Sequence, residues 1–360
     1  MFFGEKTCPW VKIVPDTVFS WGCRVKYQSI GYDIISITSL EVKGEINMGM
    51  KRRDFLKRSA VLGTTALAVG NISPVFAAKE KVAELKKSKR TPSKDPCAMI
   101  PLTDKVTCTR IGFGCGMRGY NRESNITRMG EAKSLPLLRH AYDRGIRFFD
   151  MADLYGAHPV VTKALEGKPR DSYTLSSKIW FHEGGLPEKE RPDADVVVKR
   201  FLKECKTDYL DIVQIHCMMD DQWADRFAKQ MEIMERLKEQ GLIRAHGVSC
   251  HANSALAVAA KTPWVDVVHA RINHEGAKMD GSVDDVLEVV KACHNSGCGV
   301  IAMKIIGEGT FGDDPEKRKK SADFVTQLEC VDMMIVGFTE IQHVDEFIDN
   351  VKASLEKKPA

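Results

Sequence analysis

Residues 147–156 read RFFDMADLYG, in which the two phenylalanines of an apolar run are followed by Asp150, a second acid and Tyr155. An unpaired carboxylate is costly to bury, so Asp150 at the end of a buried strand requires a partner elsewhere in the chain. Short apolar runs of this kind recur along the rest of the sequence. They predict eight buried strands, at 111–115, 147–151, 173–179, 209–216, 243–249, 265–272, 299–305 and 331–337.

Helical patterns separate these strands and follow the last one. Gly145, Gly241 and Gly297 stand where left-handed cap residues would end helices. Eight near-equal units spread over roughly 250 residues are typical of a (β/α)8 barrel. The sequence therefore predicts an α/β fold, a (β/α)8 TIM barrel over residues 107–360, and disfavours the alternative of a doubly wound sheet. The clearest predicted helices are 193–205, 223–240, 283–294 and 341–355.

The charge of the chain is concentrated in one segment. The chain has 360 residues, 43% of them hydrophobic and 28% charged, which is typical of a globular protein. Five basic residues against one acid in residues 50–77 account for the whole net charge of +4, since the first 49 residues are balanced. The remainder is neutral, so we expect no nucleic-acid partner and no attraction to an anionic membrane surface.

That basic segment resembles an export signal. Residues 52–57, RRDFLK, match the twin-arginine pattern except that Lys51 precedes them in place of Ser or Thr. An uncharged run over 59–78 follows, and residues 75–77, VFA, suit a signal peptidase. The run is too short for a comfortable membrane span, so we expect none after processing. The sequence predicts a twin-arginine signal peptide at 50–77, the export machinery for folded proteins as a partner, and a periplasmic or otherwise exported location. A cytosolic amphipathic helix is the alternative.

The segments around the signal are assigned by position and composition. An export signal is normally N-terminal, so residues 1–49 are interpreted as a non-native upstream extension, with a genuine extra element as the alternative. Residues 78–106 begin with a charged stretch containing Pro and Ser, and are predicted to form a linker. Nine cysteines follow Ala77 at irregular spacing, which predicts buried thiols. A Cys293–Cys298 bridge is the alternative for that pair.

Polar side chains lie at the carboxyl ends of several predicted strands, where barrel enzymes have their catalytic residues. The residues concerned are Asp150, Lys178, His216, Ser249 and Asn273. A glycine-rich stretch at 114–119, GCGMRG, matches G-x-G-x-x-G, but loop residues follow it where a dinucleotide-binding motif needs a helix. We therefore predict a flexible loop that lines the barrel mouth.

Asp150, Tyr155, Lys178 and His216 lie on or just after the second, third and fourth strands, and there the chain resembles the aldo/keto reductase superfamily over nearly all of 107–355. The resemblance implies hydride transfer between a nicotinamide cofactor and an aldehyde or ketone. Tyr155 would supply the proton, Lys178 would lower its pKa, Asp150 would pair with Lys178, and His216 would orient a small carbonyl substrate.

The resemblance also implies a set of cofactor contacts, some of them altered. Cys250 stands where the family has Asn after Ser249, and His269 stands where it has Gln. Lys304 is a candidate contact for pyrophosphate or substrate. The last unit offers few basic residues for a 2′-phosphate, so the choice between NADP and NAD stays open. Its candidate contacts are Gly337, Phe338, Thr339 and His343.

Three interpretations remain. In the first, the chain is a reductase with altered cofactor contacts, and after export it would need a redox partner. In the second, the barrel has lost reductase activity and binds a ligand or partner. In the third, a transition metal is held at one rim, although adjacent residues on a strand point in opposite directions. The third would use His216, Cys217, Cys250, His251 and His269. We favour the first, without a metal.

Overall fold

A computed structural model of the protein describes strands within residues 3–43 and, in full, residues 93–357. The chain divides into two units, Met1–Asn71 and Ile72–Ala360. The first contains an antiparallel sheet in the order β1 (Phe3–Val14), β2 (Thr17–Ser29), β3 (Ile35–Lys43), which the sequence did not predict. The predicted signal peptide at 50–77 lies outside the described residues.

The second unit is built on a closed barrel of eight parallel strands. Each strand pairs with the next in sequence, and the last pairs with the first through Met334 and Ile111. This confirms the predicted (β/α)8 barrel. Its strands are β6 (Ile111–Gly114), β7 (Phe148–Asp150), β8 (Thr174–Ile179), β9 (Leu210–Met218), β10 (Ile243–Cys250), β11 (Val267–Arg271), β12 (Gly299–Met303) and β13 (Met333–Val336).

Helices surround the barrel and bury one face each. In the last of them, Val344, Phe347, Ile348, Val351 and Leu355 are buried at spacings of three and four, as an amphipathic helix requires. The helices are α1 (Asn125–Arg128), α2 (Glu131–Asp143), α3 (His158–Ala164), α4 (Ala194–Glu204), α5 (Trp223–Arg226), α6 (Ala228–Glu239), α7 (Asn253–Lys261), α8 (Val283–Asn295), α9 (Pro315–Gln327) and α10 (Ile341–Lys357). None of the described helices is long and apolar enough to cross a membrane.

One helix prediction and one boundary prediction need correction. The single helix predicted at 223–240 is two helices, because the backbone at Phe227 departs from helical geometry (φ −105°). The predicted linker extends too far, since residues within it form a hairpin, β4 (Met99–Pro101) with β5 (Thr107–Thr109).

That hairpin closes the barrel at the amino ends of its strands. Leu102 and Val106, inside the predicted linker, are buried in the same apolar cluster as Phe148, Val267 and other inward residues near the strand starts. Gly299 at the start of β12 allows this contact, since a Cβ there would lie 2.8 Å from the Leu102 carbonyl oxygen. The open end is therefore the one at the strands' carboxyl ends.

Cysteines are mostly buried in the barrel unit. Seven of the nine that follow Ala77 are buried, while Cys97 and Cys217 are partly exposed. The Cys293 thiol contacts the carbonyl of Leu256 at 3.6 Å, and the Cys298 thiol contacts that of Val265 at 3.1 Å. The sequence-based prediction of buried thiols therefore describes most of them.

Candidate active site

Four predicted residues meet at the carboxyl ends of β7, β8 and β9. Asp150 ends β7, Lys178 lies in β8, His216 lies in β9, and Tyr155 ends a short helical turn that follows β7. Both carboxylate oxygens of Asp150 accept hydrogen bonds from Lys178 Nζ at 2.6 Å. Lys178 Nζ also donates to the Met151 carbonyl at 3.0 Å. Lys178 is thus the partner that the burial of Asp150 required.

The Asp150–Lys178 pair is an ionised pair inside the barrel. Both side chains are only 2% exposed. Burial works to raise the pKa of Asp150, but Lys178 and His269 outweigh it and hold that pKa below its ordinary value. His269 Nε2 lies 3.2 Å from Asp150 Oδ1. Burial lowers the pKa of Lys178, while the Asp150 carboxylate opposes that shift. Each charge therefore depends on the other to remain buried.

Tyr155 faces His216 above this pair. The Tyr155 hydroxyl lies 3.3 Å from His216 Nε2, and Lys178 Nζ lies 5.5 Å from the centre of the phenol ring. Burial, followed by the Asp150 carboxylate, raises the pKa of Tyr155 well above its ordinary value. The net pKa of Tyr155 is thus raised and not lowered as predicted, and burial of the phenol is the largest cause. The phenol of Tyr155 therefore stays protonated at neutral pH.

His216 is held neutral in an aromatic enclosure. Burial, together with Lys178 and three neighbouring histidines, lowers the pKa of His216 well below its ordinary value. Its ring packs edge-on against Trp180 at 5.3 Å and against His251 at 6.2 Å between centroids. Its carbonyl oxygen accepts a hydrogen bond from His182 Nε2 at 3.0 Å. The imidazole is thus fixed in position and uncharged beside the phenol.

A bulge in the backbone follows His216. Cys217 has a left-handed backbone (φ 67°), and the pairing of β9 with β10 shifts register between Val248 and Cys250. Ser249 Oγ accepts a hydrogen bond from the Cys217 N–H at 2.9 Å. Bulges of this kind often redirect a side chain at an active site. Ser249, predicted as a cofactor contact, thus stabilises the backbone next to His216.

Two glycines of the 114–119 loop lie directly on Tyr155. A Cβ at Gly116 would lie 2.4 Å from Tyr155 Cζ, and one at Gly119 would lie 2.4 Å from Tyr155 Cδ1. Neither position can carry a side chain without moving the phenol. The loop lines the barrel mouth as predicted, but its role in supporting the Tyr155 ring was missed. The repeated glycines were the available signal.

A cavity of about 530 Å³ opens beside Asp150 and Tyr155 and extends to Phe347 on α10. Five of the eight predicted cofactor residues line it, namely Lys304, Gly337, Phe338, Thr339 and His343. The lining also includes charged residues that the sequence analysis missed. These are Glu308, Asp313, Arg318, Glu340 and Glu346.

The other three predicted cofactor residues do not line this cavity. Cys250 is 1% exposed and packs in the apolar layer that joins the barrel to its helices. It follows Ser249 directly, and consecutive strand residues point to opposite faces. His269 is fully buried against Asp150. The structure therefore separates Ser249, Cys250 and His269 from the cavity wall.

His251, which the sequence indicated only in the metal interpretation, is a buried neighbour of the site. Its Nδ1 contacts the Arg271 guanidinium, which also binds Asp280 at 3.0 Å. Burial, together with Arg271 and other nearby cations, lowers the pKa of His251 to about 3. Across residues 93–357 no three His, Cys, Asp or Glu side chains are grouped so that they could hold a metal ion.

Comparison with known proteins places this geometry in a family. The sequence pattern of the aldo/keto reductase family matches residues 110–331. The chain belongs to the aldo/keto reductase family. This confirms the resemblance that the four site residues indicated.

The curated relatives of this family member are distant in sequence. The protein named "Probable aldo-keto reductase 1" of Glycine max is 24% identical over 221 residues, which are 58% of this chain and 59% of the relative. Aldo-keto reductase YhdN of Bacillus subtilis is 28% identical over 225 residues, 58% of this chain and 65% of the relative. The chain thus spans less than two thirds of the length of either relative.

Solved aldo-keto reductases share the fold. A structure from Pseudomonas aeruginosa superimposes with a TM-score of 0.59 at 20% identity, over 74% of this chain and 99% of that one. A structure from Klebsiella pneumoniae, determined with NADP and acetate, gives a TM-score of 0.53 at 21% identity, over 71% and 88% of the two chains. At this identity the superpositions support the barrel fold alone.

Proposed function

We propose that this aldo/keto reductase family member transfers a hydride between a nicotinamide dinucleotide and a small aldehyde or ketone. The observation that carries the proposal is the Tyr155 hydroxyl within 3.3 Å of His216 Nε2, next to the buried Asp150–Lys178 ion pair and beside a cavity of about 530 Å³. A proton donor placed beside a hydride carrier is what carbonyl reduction needs.

The cavity suits a dinucleotide. Its volume lies within the range of about 300–1,000 Å³ that is typical of ligand and cofactor sites. Gly309, Gly312 and Gly337 leave stretches of wall without side chains, where backbone groups can approach a phosphate. Phe338 and Phe347 offer apolar surface to a ring. The nicotinamide supplies or accepts the hydride when it is bound.

The four residues divide the work of proton transfer. Tyr155 donates its proton to the carbonyl oxygen as negative charge develops there. The high pKa of Tyr155 keeps that proton available at neutral pH. As the phenol loses its proton, the Lys178 ammonium stabilises the phenolate, and Asp150 holds that ammonium in place. His216 orients the substrate oxygen towards the phenol without carrying a charge of its own.

Two measurements test this proposal. Calorimetric titration with NADH and NADPH tests cofactor binding. Oxidation of the bound reduced cofactor on addition of each of a panel of aldehydes and ketones tests turnover. We expect Tyr155→Phe to lower kcat by about 10²–10⁴-fold while the cofactor Kd is retained. Tyr120→Phe is a matched control, because Tyr120 lies in the adjacent loop with its side chain 64% exposed.

The outcomes separate the two main interpretations. Full turnover by Tyr155→Phe would exclude Tyr155 as the proton donor. Absence of binding with both cofactors would favour the alternative of a barrel that has lost reductase activity and serves as a ligand-binding protein. No observation on the described residues favours that alternative over the reductase.

Export is part of the proposal and has its basis in the sequence of residues 50–78 alone. We propose that the chain leaves the cytoplasm folded by the twin-arginine route, with its cofactor already bound, and that a redox partner regenerates the cofactor outside. Replacing Arg52 and Arg53 by Lys should retain the protein in the cytoplasm of a bacterial host, as cell fractionation would show. Equal export of the double variant would contradict this route.

A further inference from the structure

We call the part of the cavity wall formed by α9, α10 and the residues just before them its outer end, and this part is rich in carboxylates. Asp313, Glu340 and Glu346 line it, with Phe347 beside them on α10. In the part of the chain from residue 93 to 357, neither Asp313 nor Glu340 takes part in an ion pair within 4.0 Å. The negative charge of this end is therefore partly uncompensated.

One arginine lines the same end, and its hydrogen-bonding capacity is largely used. Arg318 on α9 donates from Nε to Glu346 Oε1 and from Nη2 to Glu346 Oε2, each at 2.7 Å. Its Nη1 donates to the Gly312 carbonyl. The hydrogen bond from Arg318 lowers the pKa of Glu346, so both groups stay charged at neutral pH. A bidentate pair of this geometry is the strongest form of such a contact.

The two other basic side chains of the lining are also engaged. Lys304 Nζ pairs with Glu308 Oε1 at 2.9 Å, and Lys304 lies near the inner end, where its charge affects the pKa of His251 and Cys217. His343 Nδ1 is 3.0 Å from Thr339 Oγ1. The described lining therefore presents no uncommitted Lys or Arg to a ligand.

The direction of the cofactor follows from the proposed reaction. The nicotinamide has to reach Tyr155, so the adenosine lies towards Phe347, Glu346 and Arg318. A 2′-phosphate would bring about two negative charges to that end and would normally be bound by Arg or Lys. Ribose hydroxyls, in contrast, donate hydrogen bonds to carboxylates, as they do in other dinucleotide sites that select NAD.

We propose that this cavity selects NADH over NADPH, and that Glu346 is the specificity-determining residue because it occupies Arg318. This inference rests on the proposed function, since it assumes that a nicotinamide dinucleotide binds in the cavity. A 2′-phosphate would have to displace Glu346 from Arg318 and lie among like charges, which disfavours NADPH.

Calorimetric titration of the full chain with each cofactor tests the proposal independently of turnover. We expect the Kd for NADPH to exceed that for NADH by about tenfold or more. In Glu346→Gln, Arg318 is free to bind the 2′-phosphate, and the ratio of the Kd for NADPH to the Kd for NADH should fall by about tenfold. In the double variant Arg318→Gln, Glu346→Gln this fall in the ratio should not occur, because no guanidinium is present to bind the 2′-phosphate.

A control variant separates local from general charge effects. Glu316→Gln removes the same charge from an exposed position on α9, the helix that carries Arg318, outside the cavity lining, and should leave the ratio as it is. Equal affinity for the two cofactors in the unaltered protein would overturn the selectivity. An unchanged ratio in Glu346→Gln would overturn the role of Glu346. Absence of binding with both cofactors would instead overturn the proposed function.

Discussion

The cavity has an ion pair at each end, and the two pairs differ in burial rather than in bond length. Lys178 and Asp150 at the inner end are 2.6 Å apart, and Arg318 and Glu346 at the outer end are 2.7 Å apart. The inner side chains are 2% exposed, whereas Arg318 and Glu346 are 17% and 36% exposed. A buried pair loses stability when either partner is removed, while an exposed pair can exchange partners with solvent or a ligand. The inner pair therefore fixes geometry, and the outer one can take part in selection.

The largest expected effect comes from breaking the inner pair. Asp150→Asn or Lys178→Met leaves one buried charge unpaired and should lower the free energy of unfolding by about 3–5 kcal/mol. The double variant removes both charges and should recover most of the loss. Urea unfolding followed by circular dichroism measures all three. If the double variant instead lost as much unfolding free energy as the two single variants together, an unpaired buried charge would not be the cause of the destabilisation.

A smaller effect is expected where the glycine loop meets the phenol at the inner end. Gly116→Ala would place a Cβ 2.4 Å from Tyr155 Cζ, so the ring or the loop must move. We expect a loss of about 1–3 kcal/mol in stability and a lower kcat. At Gly281 a Cβ would have only ordinary contacts at 3.6 Å or more, which makes Gly281→Ala the matched control. Equal kcat values in the two variants would argue against a supporting role for Gly116.

The free energy of unfolding should also depend on pH through His251, a buried histidine next to the site. The pKa of His251 is about 3 in the folded chain and about 6.5 when unfolded, so the unfolded state binds more protons between these values. The contribution of His251 to the free energy of unfolding is complete above pH 6.5 and is lost as the pH falls towards 3. His251→Gln should reduce the loss of unfolding free energy between pH 7 and pH 4 by an amount on the order of 1 kcal/mol. Identical pH profiles for the variant and the parent would refute this assignment.

The smallest effect is expected at an exposed pair of the cavity wall. Glu308 is 43% exposed and Lys304 is 25% exposed, so the pair should contribute about 0–1 kcal/mol. We expect Glu308→Gln to change the free energy of unfolding by less than about 1 kcal/mol, in the same urea experiment as Asp150→Asn. A loss as large as that of Asp150→Asn would remove the distinction between buried and exposed pairs.

The sequence predicted the barrel and the four central residues because both depend on local patterns. Apolar runs located β6 to β13, and polar residues at their ends located Asp150, Lys178 and His216. What it missed depends on contacts between distant segments. The pairing of Arg318 with Glu346 joins two helices, and the packing of Gly116 on Tyr155 joins two loops.

Two errors have simple physical causes. Cys250 was assigned to the cofactor site from its place beside Ser249, but the alternation of side chains along β10 turns it into the outer apolar layer. Lys178 was expected to lower the pKa of Tyr155, but that expectation left out the burial of the phenol, which is the largest cause of the raised pKa. A sequence identifies the charged residues of a site, but not how burial and neighbouring charges combine to set the pKa of each one.

The buried cysteines would have a consequence if the chain leaves the cytoplasm as we propose. In an oxidising compartment an unfolded copy would expose all nine sulfurs that follow Ala77 to mixed-disulfide formation. A folded copy exposes mainly Cys97 and Cys217, and burial raises the pKa of the Cys97 thiol to about 11, which leaves little reactive thiolate. Folding before translocation would therefore protect this protein from scrambled cross-links without any chaperone dedicated to its thiols.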